Sequence, residues 1–392
     1  MIVRRAPHPA SVSRPVASPI QPSVVYASDT PDGLDAQYEG RAHGYTYSRE
    51  GHPNAAALAA HLDAMEGARG GIVLGSGMAA VTAVMMALLE RGDHVLGGDQ
   101  LYGRSLRMMA EELPRLGFET SLADPTDGAA FAAAIRPGTR LVLVEVVSNP
   151  TLRVADMDAI AAACRETGAL LVVDNTFTTP LGFRPLDHGA DVVLHSVTKL
   201  LAGHSDAMLG YVAARDPGIA LRLEATAITL GLTPSPFDCW LAERGLLTFS
   251  LRHRAACEGA ERLAEALGEM PGVRRVIFPG REDHPDRARA RALLASAGNM
   301  VSFEVEGGRP AANALAAAAE RIAFAPTLGD VSTTLSHPAS SSHRGLTPEG
   351  RAALGIGEGF FRVSVGVEPP DLLVDEIGRA VAAARGARTD AA

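Results

Sequence analysis

Lys199 is the only lysine in this 392-residue chain, although lysine and arginine together number 36. Arginine stays protonated and cannot act as an amine nucleophile, whereas a desolvated lysine can lose its proton and form an imine with a carbonyl group. The one position that arginine does not occupy is therefore a candidate for imine chemistry. A composition biased towards arginine, with one lysine left by chance, explains the count equally well. The surrounding residues must decide between the two interpretations.

Asp174 ends the apolar run Leu171-Val-Val-Asp174, and Lys199 follows the next β-type run 25 residues later (199 − 174 = 25). One strand–helix–strand excursion fits this spacing, and ligands of open α/β sheets bind beyond the carboxyl ends of the strands. A carboxylate and an imine-forming lysine at one sheet edge match pyridoxal phosphate, whose ring nitrogen and aldehyde they would bind. Without Lys199, a loop or helix-capping aspartate would be the better interpretation of Asp174.

A phosphate group needs hydrogen-bond donors, and Gly75-Ser-Gly-Met78 supplies a candidate set. It follows the short apolar run Ile72–Leu74 and opens an amphipathic helix, whose first backbone amides would form an anion site. Ser196 and Thr198, which flank Lys199, could add hydroxyl donors. A Gly-Ser-Gly turn alone indicates little, because such turns are common before helices.

The elements that must position these residues alternate between apolar runs and alanine-rich helical stretches over residues 55–215. This alternation predicts an α/β fold in which a mostly parallel sheet is covered by helices on both faces. The clearest predicted elements are strands at Leu141–Val147, Leu170–Asp174 and Val192–His195, and helices at Met78–Leu89 and Asp156–Thr167.

The flanking segments have a different character. Residues 1–50 are rich in Pro, Ser, Gly and Tyr without sustained periodicity, so they predict an irregular arm. A long helix over Asp238–Leu267 is followed by alternating strands and helices, which predict a smaller α+β domain. Its predicted elements are strands Val273–Phe278, Met300–Val305 and Phe361–Val367 and a final helix, Pro370–Ala384. We divide the chain into an arm contacting a neighbouring subunit (1–54), a large cofactor-binding domain (55–250) and a C-terminal domain (251–392).

Composition restricts the possible partners. A hydrophobic content of 47% and a charged content of 21% are typical of globular proteins, and the net charge of −9 argues against nucleic acid or an anionic membrane as a partner. No apolar run reaches the ~18 residues of a membrane span, and no signal-like apolar region is present. The three cysteines are too widely spaced for a disulfide framework or a metal motif. We expect a cytoplasmic protein without a bound metal.

Longer motifs resemble one family closely. Val173-Asp-Asn-Thr-Phe177 and His195-Ser-Val-Thr-Lys-Leu-Leu-Ala-Gly-His-Ser-Asp206 are similar to motifs of the cystathionine/methionine-metabolism family of fold-type-I pyridoxal phosphate enzymes. That family includes cystathionine γ-synthases and γ-lyases, methionine γ-lyases and O-acylhomoserine sulfhydrylases. Matching motifs extend from Tyr45-Thr-Tyr-Ser-Arg49 to Phe361-Arg-Val-Ser-Val-Gly-Val-Glu368, so the resemblance covers nearly the whole chain.

The resemblance implies catalytic roles for the matching residues. Lys199 would bind the cofactor aldehyde as a Schiff base and then carry protons between substrate and cofactor. Tyr102 would stack on the cofactor ring and assist proton transfer near the leaving group, while Asp174 would bind the ring nitrogen. Asn149 would lie beside the cofactor and substrate, and Arg362 would bind the substrate α-carboxylate in a bidentate manner.

The same resemblance implies a phosphate site shared between subunits. Within one subunit the phosphate would be bound by four residues, Gly77, Met78, Ser196 and Thr198. Tyr47 and Arg49 would reach from the arm into the neighbouring subunit and bind its phosphate. The implied assembly is a homotetramer built from two dimers with shared active sites.

Three of the positions that depart from the family pattern concern the substrate most directly. Cystathionine-specific members tend to carry glutamates where Thr46 and Ser332 stand, and those carboxylates would bind the distal ammonium of cystathionine. Methionine γ-lyases commonly carry cysteine where Arg104 stands. Arg104 could favour an anionic or acylated leaving group, or it could form a salt bridge at a subunit contact.

Two reactions on an amino-acid substrate remain open. The first is γ-elimination, in which the Cγ–S or Cγ–heteroatom bond is cleaved to release 2-oxobutanoate and ammonia. The second is γ-replacement, in which a thiol displaces the acyl group of an O-acylhomoserine. A cofactor-binding protein without turnover is disfavoured, because Lys199, Asp174, Tyr102 and Arg362 are all present. The motifs do not resemble those of aminotransferases.

Overall fold

The computed structural model describes residues 12–389, so the first eleven residues of the predicted arm lie outside the described part. Two sheets organise the chain, one of seven strands and one of five. The seven-stranded sheet is formed within residues 72–214 and the five-stranded sheet within residues 273–364. In the described part, no helix combines the length and the apolar character needed to cross a bilayer.

The seven-stranded sheet has the order β1-β7-β6-β5-β4-β2-β3 and is mostly parallel, as predicted. Only β7 runs antiparallel to its two neighbours. Its central strands are apolar on both sides because both faces are covered: Val172 and Val173 enter two different core clusters. The strands are β1 Ile72–Leu74, β2 His94–Gly98, β3 Glu119–Ala123, β4 Thr139–Glu145, β5 Leu170–Asp174, β6 Val192–Ser196 and β7 Gly210–Ala214.

The helices that precede or cover this sheet are capped by short polar side chains in several places; Ser76, for example, accepts from the amide of Ala79 at 3.0 Å. They are α1 Pro31–Tyr38, α2 Pro53–Glu66, α3 Gly77–Leu88, α4 Gly103–Arg107, α5 Leu113–Leu116, α6 Gly128–Ala134, α7 Met157–Thr167, α8 Thr179–Gly182, α9 Pro217–Leu230 and α10 Pro236–Leu246. A π-helical segment, Met108–Glu112, joins α4 to α5.

The five-stranded sheet has the order β10-β11-β12-β9-β8 and packs against three helices through a separate core cluster. Its strands are β8 Val273–Ile277, β9 Met300–Val305, β10 Ala323–Phe324, β11 Thr334–Ser336 and β12 Phe360–Ser364. The helices of this part are α11 Phe249–Glu269, α12 Arg287–Leu293, α13 Gly308–Ala318, α14 Pro348–Ala353 and α15 Pro370–Thr389.

Two expectations about helices require correction. The arm contains the helix α1, which begins with a proline and is capped by Thr30 but buries no residue, so no apolar periodicity revealed it. The long helix expected over Asp238–Leu267 is two helices, α10 and α11. Gly245 in the last turn of α10 packs so closely that a Cβ there would lie 2.2 Å from the carbonyl oxygen of Ala202.

The two sheets meet next to the carboxyl ends of the parallel strands. The hydroxyl of Ser302 on β9 donates to the carbonyl of Pro150 at 2.7 Å. Arg153, in the loop after β4, forms a two-point ion pair with Asp286, at 2.5 and 2.9 Å. These contacts hold the C-terminal sheet over the edge at which Asp174 and Lys199 lie.

Candidate active site

Lys199 lies in the turn that follows β6, with its side chain partly buried. Its Nζ is 3.4 Å from the hydroxyl of Thr327, in the loop between β10 and β11. That loop packs closely on the lysine backbone, because a Cβ at Gly329 would lie 2.8 Å from the carbonyl carbon of Lys199. Burial, and secondly the charge of Arg362, hold the pKa of the Lys199 amine below its usual range. The amine is thus biased towards its nucleophilic form.

Asp174 is the last residue of β5, at the same sheet edge as Lys199. Its Oδ1 accepts from both the amide and the hydroxyl of Thr176, at 3.0 and 2.5 Å. Burial raises the pKa of Asp174, and these two hydrogen bonds oppose the rise. Both Thr176 donors go to Oδ1, so Oδ2 is the oxygen that can bind a further donor such as a protonated ring nitrogen.

Arg362 lies on β12 and is 5% exposed. One terminal nitrogen donates to Oδ1 of Asn149 at 2.6 Å, and the other donates to the carbonyl of Thr327 at 2.7 Å. Its Nε is buried and has no partner among residues 12–389. Burial lowers the pKa of Arg362 to about 10, so the guanidinium still carries a charge at neutral pH. A buried, charged donor without an acceptor fits an anion such as a carboxylate.

The start of α3 is pressed against the end of β6. A Cβ at Gly77 would lie 2.7 Å from Cβ of Ser196, so glycine is required for this approach. Gly77 and Met78 provide the first amides of α3, which have no acceptor within the helix. The hydroxyl of Thr198 is engaged locally, since it donates to the carbonyl of Leu209 at 3.2 Å. The backbone amides of α3 are therefore better placed to bind a phosphate than the Thr198 hydroxyl.

Tyr102 precedes α4 and is 41% exposed, so its ring stands at the surface of this edge. Its backbone amide donates to Oε1 of Glu145 at 2.5 Å. Glu145 ends β4 and is paired in register with Asp174. The sequence did not mark Glu145 as a site residue, because it lies within the apolar run Leu141–Val147. A charged residue in such a run was the signal that could have identified it.

The structure does not bring Tyr47 and Arg49 to the cluster formed by Lys199, Asp174, Asn149 and Arg362. Both side chains are exposed, and the guanidinium of Arg49 lies over the Tyr47 ring, 5.1 Å from its centroid. Their expected contact with a neighbouring subunit remains a prediction.

The positions that depart from the family pattern also have defined surroundings. The hydroxyl of Thr46 donates to the carboxylate of Glu50 at 2.7 Å. The amide of Ser332 donates to Asp330 at 2.8 Å. The Arg104 side chain is exposed and forms no ion pair within the described residues.

Comparison with known proteins assigns the family. The family model for Cys/Met metabolism PLP-dependent enzymes matches residues 1–382. The chain belongs to this family. Its cofactor is therefore pyridoxal phosphate. The site fits this cofactor at two points, the available Oδ2 of Asp174 and the start of α3 at Gly77. It fits an amino-acid substrate through the unpartnered Nε of Arg362. The fold is that of fold-type-I pyridoxal phosphate enzymes, as the sequence predicted.

Individual relatives of this Cys/Met metabolism enzyme carry out different reactions. Cystathionine beta-lyase MetC of Bacillus subtilis is 40% identical over 337 residues, which cover 86% of this chain and 86% of the relative. L-methionine gamma-lyase of Porphyromonas gingivalis is 36% identical over 363 residues, which cover 92% and 91%. The crystal structure of cystathionine gamma synthase from Xanthomonas oryzae pv. oryzae in complex with cystathionine has a TM-score of 0.90 and 38% identity, and covers 95% and 94% of the two chains. Such similar identities assign a family of lyases and transferases without ranking the reactions.

Proposed function

We propose that this enzyme is a carbon–sulfur lyase that cleaves the Cγ–S, or Cγ–heteroatom, bond of a methionine-, homocysteine- or cystathionine-like amino acid to 2-oxobutanoate and ammonia. One observation carries the proposal: the Lys199 amine and the Arg362 guanidinium both contact Thr327. Thr327 thus holds a base, Lys199, and a carboxylate-binding group, Arg362, at a fixed position relative to each other. The bound cofactor would withdraw electrons from the substrate and so make its Cα–H and Cβ–H acidic.

Arg362 would fix the substrate. Its unpaired Nε and the free hydrogens of its terminal nitrogens would bind the α-carboxylate in a bidentate manner. Asn149 holds the guanidinium through its side-chain oxygen, and both residues are at most 5% exposed. Exclusion of water strengthens this ion pair. Bidentate binding of the carboxylate fixes the direction in which the Cα–H bond points.

Lys199 would move the protons. Because burial and the Arg362 charge disfavour the ammonium form, Lys199 would accept a proton from Cα, release it to the bound cofactor, and then accept a proton from Cβ. The 3.4 Å contact with the Thr327 hydroxyl would orient the amine between these steps. Removal of the Cβ proton is the step that expels a group from Cγ.

The remaining predicted residues would hold the cofactor. Asp174 would pair with the ring nitrogen, Tyr102 would cover the ring and protonate the leaving group, and the start of α3 with Ser196 and Thr198 would bind the phosphate. Tyr47 and Arg49 would complete the phosphate site of a neighbouring subunit, in a homotetramer made of two dimers. Their exposure and their separation from the cluster support this assignment.

A γ-replacement reaction is the second candidate, because the likeness to a cystathionine gamma synthase covers nearly the whole chain. Both reactions share the proton transfers assigned to Lys199. They differ in whether a thiol or water completes the reaction after the leaving group has departed.

The decisive experiment measures 2-oxo acids released from methionine, homocysteine, cystathionine and O-acetylhomoserine, each with and without an added thiol. Release of 2-oxobutanoate without thiol is the expected result. Thiol-dependent formation of a thioether, with 2-oxobutanoate suppressed, would favour the transferase. Pyruvate from cystathionine, as a β-elimination would give, or no product from any compound would contradict the proposed reaction.

A further inference from the structure

Two carboxylates stand side by side at the carboxyl edge of the parallel sheet. Glu145 ends β4, Asp174 ends β5, and the two are register partners. Register partners project from the same face, and neighbouring strands lie about 4.8 Å apart. On its other side β4 pairs with β2, but that pairing ends with Gly97 opposite Leu143, so no residue of β2 is a register partner of Glu145. Asp174 is therefore the charged neighbour of Glu145 within the sheet.

The two carboxylates have different hydrogen-bond donors. Asp174 receives two, from the amide and the hydroxyl of Thr176. Within residues 12–389, Glu145 receives one, from the amide of Tyr102, and it is only 9% exposed. Where two carboxyls share a site, the one with better donors keeps the negative charge and the other retains its proton.

The positively charged side chains of the site do not neutralise a negative charge on Glu145. Lys199, after β6, and Arg362, on β12, both contact Thr327, and neither forms an ion pair with Glu145 or Asp174. His195, on the strand beyond β5, is bound on the opposite face of the sheet to Glu66 of α2. No ion pair of Glu145 exists in the described part of the chain, so the Tyr102 amide alone would oppose the repulsion of its ionised form by Asp174.

We propose that Glu145 is held as a neutral carboxylic acid and acts as a positioning residue for Tyr102. Its carbonyl oxygen anchors the Tyr102 backbone, while its proton prevents a second negative charge beside Asp174. Burial, and secondly the charge of Asp174, raise the pKa of Glu145 well above its usual range. This inference rests on the proposed placement of Asp174 and Tyr102 at the cofactor. It adds Glu145 as the residue that limits the negative charge beside Asp174 and fixes the position of Tyr102.

Infrared difference spectroscopy of the holoenzyme tests the protonation state. At neutral pH, the difference between wild type and Glu145→Gln should contain the carbonyl band of a protonated carboxylic acid, shifted in D₂O, and no carboxylate bands. Asp286→Asn is the matched control: Asp286 is 8% exposed and paired with Arg153, so its difference spectrum should contain carboxylate bands and the amide band of the new side chain, but no acid carbonyl band. Carboxylate bands in the Glu145→Gln difference would overturn the proposal. If that variant does not fold, wild type labelled with ¹³C-glutamate replaces it, and the absence of any isotope-shifted acid band would overturn the proposal equally.

Kinetics test the positioning role. Glu145→Gln keeps a neutral acceptor for the Tyr102 amide and should retain kcat within about threefold of wild type, whereas Glu145→Ala leaves that amide unpaired and should lose roughly tenfold or more. In a Tyr102→Phe background the loss caused by Glu145→Ala should shrink, because both changes act through one side chain. An equal loss of kcat in Glu145→Gln and Glu145→Ala would refute the positioning role. So would losses of kcat that are fully additive between Glu145→Ala and Tyr102→Phe. The infrared result does not depend on the substrate, so failure of the substrate panel and failure of this inference are separable.

Discussion

Arg362 is the single residue that points most directly to a substrate. A buried guanidinium nitrogen without an acceptor costs stability, and proteins seldom retain one without a ligand to fill it. The two partners that Arg362 does have, Asn149 and Thr327, bind its terminal nitrogens and leave the Nε edge open. The residue is therefore prepared for a planar anion.

We expect Arg362→Lys to lower kcat/KM about 100-fold, because an ammonium cannot make two parallel hydrogen bonds to a carboxylate. The visible absorption of the bound cofactor should remain, since we propose that Arg362 binds the substrate and not the cofactor. Steady-state kinetics with the best substrate, together with the absorption spectrum, check both expectations. Arg115→Lys, at a side chain that is 78% exposed, is the control and should change neither. Unchanged kcat/KM in Arg362→Lys would remove the carboxylate role.

Lys199→Arg and Lys199→Ala should both lose the visible absorption of the bound cofactor and all measurable turnover. The arginine variant keeps the positive charge and removes only the ability to form an imine. Equal loss in the two variants would therefore assign the effect to chemistry rather than to charge. An absorption spectrum like that of the wild type in either variant would contradict the assignment of Lys199.

Residue types and spacing predicted Lys199, Asp174 and the start of α3, because strand ends and helix starts are visible in an apolar pattern. Glu145 was missed for the opposite reason: its strand looked like continuous core. The sequence analysis did not identify Thr327, because its contact with Lys199 crosses 128 positions of sequence and no local pattern encodes such a contact.

The site residues lie on elements of both sheets, so the position of one sheet relative to the other matters. One contact between the two parts fixes that position. The carboxylate of Asp286, just before α12, binds both Arg153 and the amide of Val154, in the loop that leaves β4. Hydrogen bonds and the Arg153 charge hold the pKa of Asp286 below its usual range despite burial. The contact thus ties the C-terminal sheet to the edge that holds the site.

Asp286→Asn should lower the free energy of unfolding by about 2 kcal/mol at neutral pH, a value reduced for the partial exposure of Arg153. Because the folded-state pKa is depressed, this stabilisation is complete above the unfolded-state pKa, near 4, and is lost as the pH falls below it. Denaturant unfolding of both proteins at neutral pH and towards pH 3 measures the change. Asp283→Asn, at an exposed carboxylate paired with Arg281, should cost at most about 0.5 kcal/mol. A difference between wild type and Asp286→Asn that does not shrink in acid would contradict this account.

Strong periodic elements were predictable and weakly periodic ones were not. Strands β4, β5 and β6 were expected within a few residues of their bounds because their apolar runs are buried on both faces. Helix α1 escaped because it buries nothing, and the break between α10 and α11 escaped because no proline marks it. The predicted division at residue 250 falls at the start of α11. That helix contributes Phe249 to one core cluster and Leu263 to another.

At the scale of the whole molecule, the arm is the part that a single chain leaves unexplained. It docks on its own subunit through Trp240, whose indole nitrogen donates to the carbonyl of Ser18 at 2.8 Å. Further along the arm, Tyr47 and Arg49 remain exposed. The arm is thus fixed to its own subunit near Ser18, while an aromatic and a cationic side chain, Tyr47 and Arg49, are exposed further along. This arrangement fits a segment that completes the site of another subunit.

Mixing Arg49→Ala with Lys199→Ala protein should restore activity that neither variant has alone. In a mixed dimer one site carries both substitutions and the other carries neither, so random exchange should recover about a quarter of wild-type turnover. The variants are unfolded and refolded together, and activity is compared with that of the proteins refolded separately. If no activity returns although subunits exchange, the shared site is ruled out.

The partly buried position of Lys199 has a practical consequence for how this protein can be handled. As the chain has no other ε-amine, reagents that modify amines find no lysine on its surface, and cross-links between surface lysines cannot report how its subunits associate. The same scarcity simplifies trapping by reduction, because any pyridoxyl group that is fixed to a lysine must be fixed to Lys199. A single labelled peptide would then count active sites directly, subunit by subunit.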